Sequence, residues 1–420
     1  MQKNLNEWLA YIEKLHPTEI ELGLTRISEV ANKLDLINFP AKVITVGGTN
    51  GKGTTCAFLE QILTQAGYKV GVYSSPHIQR YTERLRINHQ ELSDEQHCRA
   101  FEIVESSREN VSLSFFEYVT LSCLQLLKEQ QCDFIILEVG LGGRLDATNI
   151  VESDISVITT IAIDHVDWLG DNREVIGFEK AGIFRPGHPA ICGELNPPHS
   201  IQAHAQDIGA DISFAGKDFI TDIGEYTWTW TGNKKIENLP KTLMPLQNAS
   251  TALAVIEALE IDLDAALIRD ALKQAKLAGR LQKLSLPTNI ETYVDVAHNP
   301  QSAQYLAKQI KQIKATKSAQ TKVYAIVGML EDKDITGSFE EVNSLIDDCS
   351  LITLECYRGA SASTVLSRYN ESTNKRALVS CYDNIDSAYQ RVIREANEQD
   401  MIVIFGSFHT VSAFLTYLEG

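Results

Sequence analysis

Residues 41–46 form an apolar, strand-like run that passes at once into Gly47-Gly48-Thr49-Asn50-Gly51-Lys52-Gly53-Thr54-Thr55. Helical spacing follows through Phe58, Leu59, Ile62 and Leu63, over Thr55 to Ala66. A strand, a glycine-rich loop carrying a lysine and two threonine hydroxyls, and a helix are the parts of a phosphate-binding loop. Glycines let backbone N–H groups converge on an anion, and the helix N-terminus adds a favourable dipole. A plain glycine-rich turn would need neither Lys52 nor the hydroxyls of Thr54 and Thr55. The loop commits the chain to an α/β architecture, because the motif works at the C-terminal edge of a parallel sheet.

The rest of the chain agrees. Lys69–Tyr73, Asp133–Val139 and Ile155–Ile161 are short, nearly continuous apolar runs, with a strong helix pattern at Phe115–Gln130. Runs of this kind, separated by helices, predict strands buried on both faces of a mostly parallel sheet. Between about 211 and 240 the texture changes to the alternation Glu225-Tyr226-Thr227-Trp228-Thr229-Trp230 and a Thr231-Gly232-Asn233 turn, which predicts a small, partly antiparallel excursion. Helices resume at Asn248–Leu259 and Leu263–Lys276. A second strand–helix series begins at Ile290–Val296 and continues at Val323–Val327, Leu351–Leu354 and Ile402–Phe405. We expect an ATP-binding domain over 1–285 and a second, Rossmann-like α/β domain over 286–420, a division that a length of 420 residues also favours.

Composition narrows the function classes. A formal net charge of −17 argues against binding nucleic acid through a general positive field, so any positive charge for an anionic ligand must be local. The Met1–Glu13 segment has Leu5, Trp8, Leu9 and Ile12 on one stripe and reads as an amphipathic helix without a signal peptide's apolar core. No apolar run reaches bilayer-spanning length, and the eight scattered cysteines suit buried thiols in a reducing compartment. A cytoplasmic, monomeric protein with no nucleic-acid or membrane partner is expected. Asn32-Lys33-Leu34-Asp35 spells a guanine-reading motif, but it precedes the loop and sits in an apparent helix. That position removes it as a base reader.

Polar groups recur where strands end. Glu138 closes Phe134–Glu138, Ser75 follows Lys69–Tyr73, and Asp164-His165 follows Ile161. Three such groups beside a phosphate loop point to a magnesium site. Gly140-Leu141-Gly142-Gly143-Arg144-Leu145-Asp146-Ala147-Thr148-Asn149 reads either as a loop approaching a ligand or as a turn. Lys180 reads either as a solvated lysine at a helix end or as a functional one. Asp295-Val296-Ala297-His298-Asn299-Pro300 joins a strand to a helix in the second domain, and Gly406-Ser407-Phe408-His409-Thr410 holds the matching place after the last strand.

In order along the chain, Gly48–Thr54, Tyr73-Ser74-Ser75-Pro76-His77, Glu138 with Gly140–Asn149, Asp164-His165, Glu179–Phe184 and Asp295–Pro300 resemble the folylpolyglutamate synthase family, within the Mur ligases. Gly53, inserted between Lys52 and the first hydroxyl, departs from the common phosphate-loop pattern but matches this family. The resemblance spans nearly the whole chain. It implies ATP-dependent amide formation through an acyl phosphate, with L-glutamate joined to dihydropteroate and to reduced folates. A cell-wall ligase of the Mur type is the nearest rival, and it predicts a nucleotide-binding domain ahead of the loop, for which about forty residues leave little room.

The resemblance also implies residue roles. Lys52, Lys180 and His298 would be catalytic, with Lys180 the lysine that is carbamylated in the family. Thr49, Asn50, Gly51, Lys52, Gly53, Thr54, Asn248, Arg280 and Asp295 would contact ATP. Ser75, Glu138 and His165 would hold Mg2+, with two ions expected and K+ a further candidate. Glu21, Leu22, Gly23, Ser114, Phe115, Phe116, Glu117, Leu145, Asp146 and Ala147 would form the pteroate pocket.

Overall fold

The computed structural model describes residues 3–18 and 21–419. The chain divides into two compact units, Met1–Lys276 and Leu277–Gly420. In the first, eight strands form one sheet: β1 (Lys42–Gly47), β2 (Val70–Tyr73), β3 (Leu85–Ile87), β4 (Gln90–Glu91), β5 (Phe134–Glu138), β6 (Ile155–Ile158), β7 (Pro189–Cys192) and β8 (Asp211–Phe214), in the order β4-β3-β2-β5-β1-β6-β7-β8. The six strands from β2 to β8 in that order pair in parallel, and β3 and β4 close one edge as an antiparallel hairpin. β1 lies between β5 and β6, with Val43, Ile44 and Val46 almost fully buried. Its apolar run is continuous because both faces are covered.

The antiparallel excursion is present as β9 (Ile220–Ile223), β10 (Thr227–Thr231) and β11 (Lys235–Pro240). Trp228 and Trp230 both point into the core, as period-two alternation requires, and each indole finds a carbonyl: Trp228 at Pro240 (2.9 Å) and Trp230 at Ser250 (3.1 Å). β8, expected within the excursion, belongs instead to the main sheet.

The second unit holds β12 (Gln282–Leu284), β13 (Glu291–Asp295), β14 (Val323–Val327), β15 (Asp348–Ile352), β16 (Leu378–Tyr382) and β17 (Met401–Phe405), in the order β12-β13-β17-β14-β15-β16. All pairs are parallel except β12 with β13. That hairpin corrects the sequence-based boundary of 285/286: β12 pairs with β13, so the second unit starts at Leu277. β15 begins three residues before the expected Leu351, because its buried Asp348 hides it from an apolar count. Arg391 pairs with that carboxylate (2.9 Å to Oδ2).

Of the amphipathic N-terminal segment, residues 5–12 are helical, and Met1 and Gln2 lie outside the described residues. Asn32-Lys33-Leu34 ends the helix Thr25–Leu34 with Asp35 as its left-handed cap, as its dismissal as a base reader required. The cysteines are free, six of them buried. Among the described residues no helix is long and apolar enough to cross a membrane.

The core of the first unit contains one titratable oddity. His97 is fully buried, packs edge-on against Tyr81 (5.1 Å), and has no hydrogen-bond partner on either ring nitrogen. Burial pulls its pKa down to about 4. Its neutral form therefore adds stability that is full above about pH 6.5 and is lost as pH falls toward 4, a contribution of about 3 kcal/mol. A urea titration series should show unfolding free energy falling across that window, and a His97→Phe variant should flatten the fall.

Candidate functional site

The phosphate loop sits at the C-terminal end of β1 and is held by the segment that follows β6. Thr49 N–H donates to the Thr160 carbonyl (2.7 Å), Thr159 Oγ1 donates to the Asn50 carbonyl (2.7 Å), and Thr49 Oγ1 donates to the Ala162 carbonyl (3.1 Å). Gly48 is required for this fit, since a Cβ there would come 2.0 Å from Thr159 Oγ1 and φ is +137°. The helix Lys52–Gln65 follows, with Gly51 at its N-cap in a left-handed conformation and no side-chain cap. Asn248, buried on the helix Leu246–Ala258, donates to Thr54 Oγ1 and lies against Gly51.

Lys52 folds back over the loop, with Nζ 3.0 Å from the Gly48 carbonyl and 3.1 Å from that of Thr49. Lys180 reaches the same oxygen: its Nζ is 3.1 Å from the Gly48 carbonyl. The solvated reading of Lys180 is thereby excluded, because the side chain is buried at the end of the helix Arg173–Ala181. Burial first, and the charge of Lys52 second, bring its pKa down to about 7, against the opposing pull of Asp164 and Asp146.

The Gly140–Asn149 loop sets this lysine in place. At Gly143 a Cβ would meet the carbonyls of Glu179 and Lys180 at 2.8 Å, so only glycine lets the helix end approach so closely. Arg144 N–H donates to the Glu179 carbonyl (2.8 Å) and its guanidinium pairs with the Glu179 carboxylate (2.8 Å). Asn149 Nδ2 ties the Arg144 and Gly182 carbonyls together at 3.0 and 3.1 Å. Asp146 is buried and accepts from Leu141 N–H (2.8 Å) and Thr148 Oγ1 (2.7 Å); burial pushes its pKa up while these donors oppose the rise. It therefore organises its own loop, with Leu145 and Ala147 on either side.

Glu138 is buried at the end of β5, beside Val46 of β1 in the register, and Ser75 N–H donates to its Oε2 (3.4 Å). Ser75 and Glu138 are thus brought together. The strand-end reading of His165 is corrected: β6 stops at Ile158, and His165 caps the short helix Val166–Leu169 in a left-handed conformation (φ +52°). Among the described residues no three His, Cys, Asp or Glu side chains gather as a metal cage. One carboxylate and one hydroxyl beside a phosphate loop fit Mg2+, which keeps waters and takes phosphate oxygens. They do not fit a closed zinc site.

The expected pteroate residues fall into a connected group. Arg26 bridges Glu21 and the buried Glu117 (3.1 Å), and His16 Nε2 lies 2.7 Å from Glu21 Oε2. Leu22 and Gly23 precede the helix that carries Arg26. Ser114 and Glu117 form a capping box at the start of Phe115–Gln130. Phe115 carries the Arg84 guanidinium over its ring (5.6 Å), while Phe116 stacks on Tyr73 (6.2 Å) and lies against Gly140. Arg26 and Arg84 were invisible to a motif reading, since Glu117 and Phe115, which they meet here, are distant from them in sequence.

In the second unit Asp295 closes β13 and is buried. Its carboxylate accepts from Leu281 N–H (2.8 Å) and Ala297 N–H (2.7 Å); burial raises its pKa, and Arg280 opposes the rise most. Arg280 lies over the Phe408 ring (5.4 Å), which His298 also approaches (6.5 Å). His298 Nδ1 is 2.9 Å from the Val296 carbonyl, so Nδ1 is the donor there, and in the neutral ring Nε2 is the acceptor nitrogen.

Two family descriptions match the chain: Mur ligase middle domain over residues 46–218, and Mur ligase, glutamate ligase domain over residues 279–408. The dihydrofolate synthase/folylpolyglutamate synthase of Escherichia coli is 44% identical over 99% of this chain and 96% of its own length. This chain belongs to the dihydrofolate synthase/folylpolyglutamate synthase family. Among solved structures, E. coli FolC in complex with DHPP and ADP is 44% identical with a TM-score of 0.93, covering 99% of this chain and 98% of that one. The bifunctional folylpolyglutamate synthase/dihydrofolate synthase of Yersinia pestis, complexed with AMPPNP and Mn ion, is 45% identical with a TM-score of 0.92, covering 100% and 98%. The Mur-type architecture of this family, a mostly parallel first sheet and a second mixed one, is the fold described above.

In a family whose chemistry runs at a phosphate loop, the Gly143 contact should be costly to disturb. A Gly143→Ala variant should lose about 1–3 kcal/mol of stability in urea unfolding. It should also lose more ligase activity than that destabilisation alone removes, because the displaced backbone carries Lys180.

Proposed function

We propose that this protein is an ATP-dependent ligase that joins L-glutamate to dihydropteroate and to reduced folates. The observation that carries the reading is the convergence of Lys52 and Lys180 on the Gly48 carbonyl, within a phosphate loop whose neighbouring strand end offers Glu138 and Ser75. A carboxylate oxygen of the acceptor attacks the γ-phosphorus of ATP. The bond from that phosphorus to the β–γ bridging oxygen breaks, giving ADP and an acyl phosphate. The amine of L-glutamate then attacks the carbonyl carbon, the bond to phosphate breaks, and the amine gives up a proton as the amide forms.

Each residue has a task in this scheme. The loop from Thr49 to Thr54, with Asn248, cradles the phosphates, and Lys52 offsets charge on the transferring group. Ser75, Glu138 and His165 are the proposed holders of Mg2+, which supplies charge neutralisation at the phosphates when bound. Arg280 and Asp295 are proposed as nucleotide contacts. His298, with Nε2 as its acceptor nitrogen, is proposed to take the glutamate amine's proton. The group formed by Glu21, Leu22, Gly23, Ser114, Phe115, Phe116, Glu117, Leu145, Asp146 and Ala147 is proposed to hold the pteridine and aryl rings.

Lys180 has the properties of an amine that reacts with CO2. At a pKa of about 7 a large share is neutral near physiological pH, and only the neutral amine is nucleophilic. Addition of CO2 to the neutral amine, with release of one proton, gives a carbamate, which places an anion beside Lys52.

Phosphate release from ATP should require L-glutamate together with either dihydropteroate or a reduced folate. Turnover with neither acceptor, but with a cell-wall precursor, would overturn the assignment. The Lys180→Ala variant should lose at least a hundredfold in kcat and recover part of it with added acetate or propionate. In 13C-bicarbonate, the parent protein should show a carbamate resonance that grows as pH rises through 7 and is missing from the variant.

A further inference from the structure

Glu60 lies on the phosphate-loop helix, two turns beyond Lys52, and its carboxylate is only 2% exposed. No role in the reaction above explains a buried acid there. Its Oε2 accepts from Arg86 Nη2 (3.2 Å), and its Oε1 accepts from His89 N–H (2.9 Å). Arg86 belongs to β3, and Asn88 and His89, both at positive φ, form the turn into β4. The same guanidinium sends Nη1 to Ser74 Oγ (3.1 Å), while Ser74 N–H donates to the Arg84 carbonyl (2.9 Å). Ser74 is the residue before Ser75, whose N–H meets Glu138.

We infer that the Glu60–Arg86–Ser74 chain is a positioning device for the divalent cation. It links the helix that opens at the phosphate loop to the turn after β2, through the hairpin at the sheet's edge. Arg86 suits the task because its planar fork can address two acceptors at fixed geometry, which a lysine cannot. The buried charge of Glu60 holds the guanidinium, and the guanidinium holds Ser74. The hydroxyl of Ser75 thereby keeps its place relative to Glu138. Partners that orient metal ligands from behind commonly change metal affinity by about 10–100-fold when removed.

The inference rests on the proposed cation site at Ser75 and Glu138, and the test separates the two. Free Mn2+ is measured by electron paramagnetic resonance on the full chain with the non-hydrolysable analogue AMPPNP, and AMPPNP binding without metal is measured in parallel. Ser74→Ala removes one half-buried hydroxyl and leaves the ion pair intact; Glu60→Gln keeps the shape and removes the charge. Both should weaken Mn2+ binding about tenfold while metal-free nucleotide affinity stays within about twofold. Arg86→Lys should fall with Glu60→Gln rather than with the parent. Parent-like Mn2+ binding by folded Ser74→Ala overturns the positioning role, as does an equal loss of metal and nucleotide binding. Unchanged Mn2+ binding in Glu138→Gln and Ser75→Ala would instead overturn the cation site itself.

Discussion

The carbonyl oxygen of Gly48 receives two lysines, and much of the first unit can be understood as the means of bringing them there. Two ammonium groups within reach of one oxygen repel each other, and the cost is greatest where water is excluded. The fold lessens that cost by lowering the pKa of Lys180 to about 7, so that a share of it is neutral, and by placing the charges of Asp164 and Asp146 within reach of it. An anionic phosphate, or an anionic form of Lys180, removes the conflict. The loop is therefore tensioned toward ligand: its resting charge pattern is completed by what it binds.

Support for that arrangement comes from backbone rather than side chains. Gly48 admits Thr159 and Gly143 admits the end of the Lys180 helix, at distances no Cβ would tolerate. Close backbone approach of this kind fixes position without relying on long, flexible groups. The polar pairs then lock what the glycines allow: Arg144 on Glu179, and Asn149 on two carbonyls. Rigid placement of a site on such contacts is what lets a modest number of charged residues act together.

Much of the fold was legible because its signals are local. β1, β5, β6, β14 and β17 are mainly apolar runs buried on both faces, and the alternation around Trp228 and Trp230 marked the antiparallel insert. What escaped were elements whose stability comes from partners far along the chain. β16 is an edge strand with an exposed Leu378, so no apolar run betrays it. The β3–β4 hairpin is short, and Arg86 makes sense only beside Glu60. The motif order pointed to the right family, but Lys180 read equally well as a surface residue. Only the docking of its helix against Gly143 buries it. His165 was displaced for the opposite reason: an apolar stretch through Ile161 continues past the point where β6 loses its pairing.

The small antiparallel insert shows how a site can depend on parts that look ornamental. Its central strand sends the Trp230 indole to the Ser250 carbonyl, and Thr221 donates to the Ser250 hydroxyl (2.7 Å). Ser250 stands two residues from Asn248, which in turn holds Thr54 of the phosphate loop. The insert is thus bolted to the helix that steadies the glycine-rich loop. An engineer seeking a minimal ligase by trimming residues 220–240 would touch no residue of the glycine-rich loop, yet would strip the buttress from the helix whose Asn248 holds it.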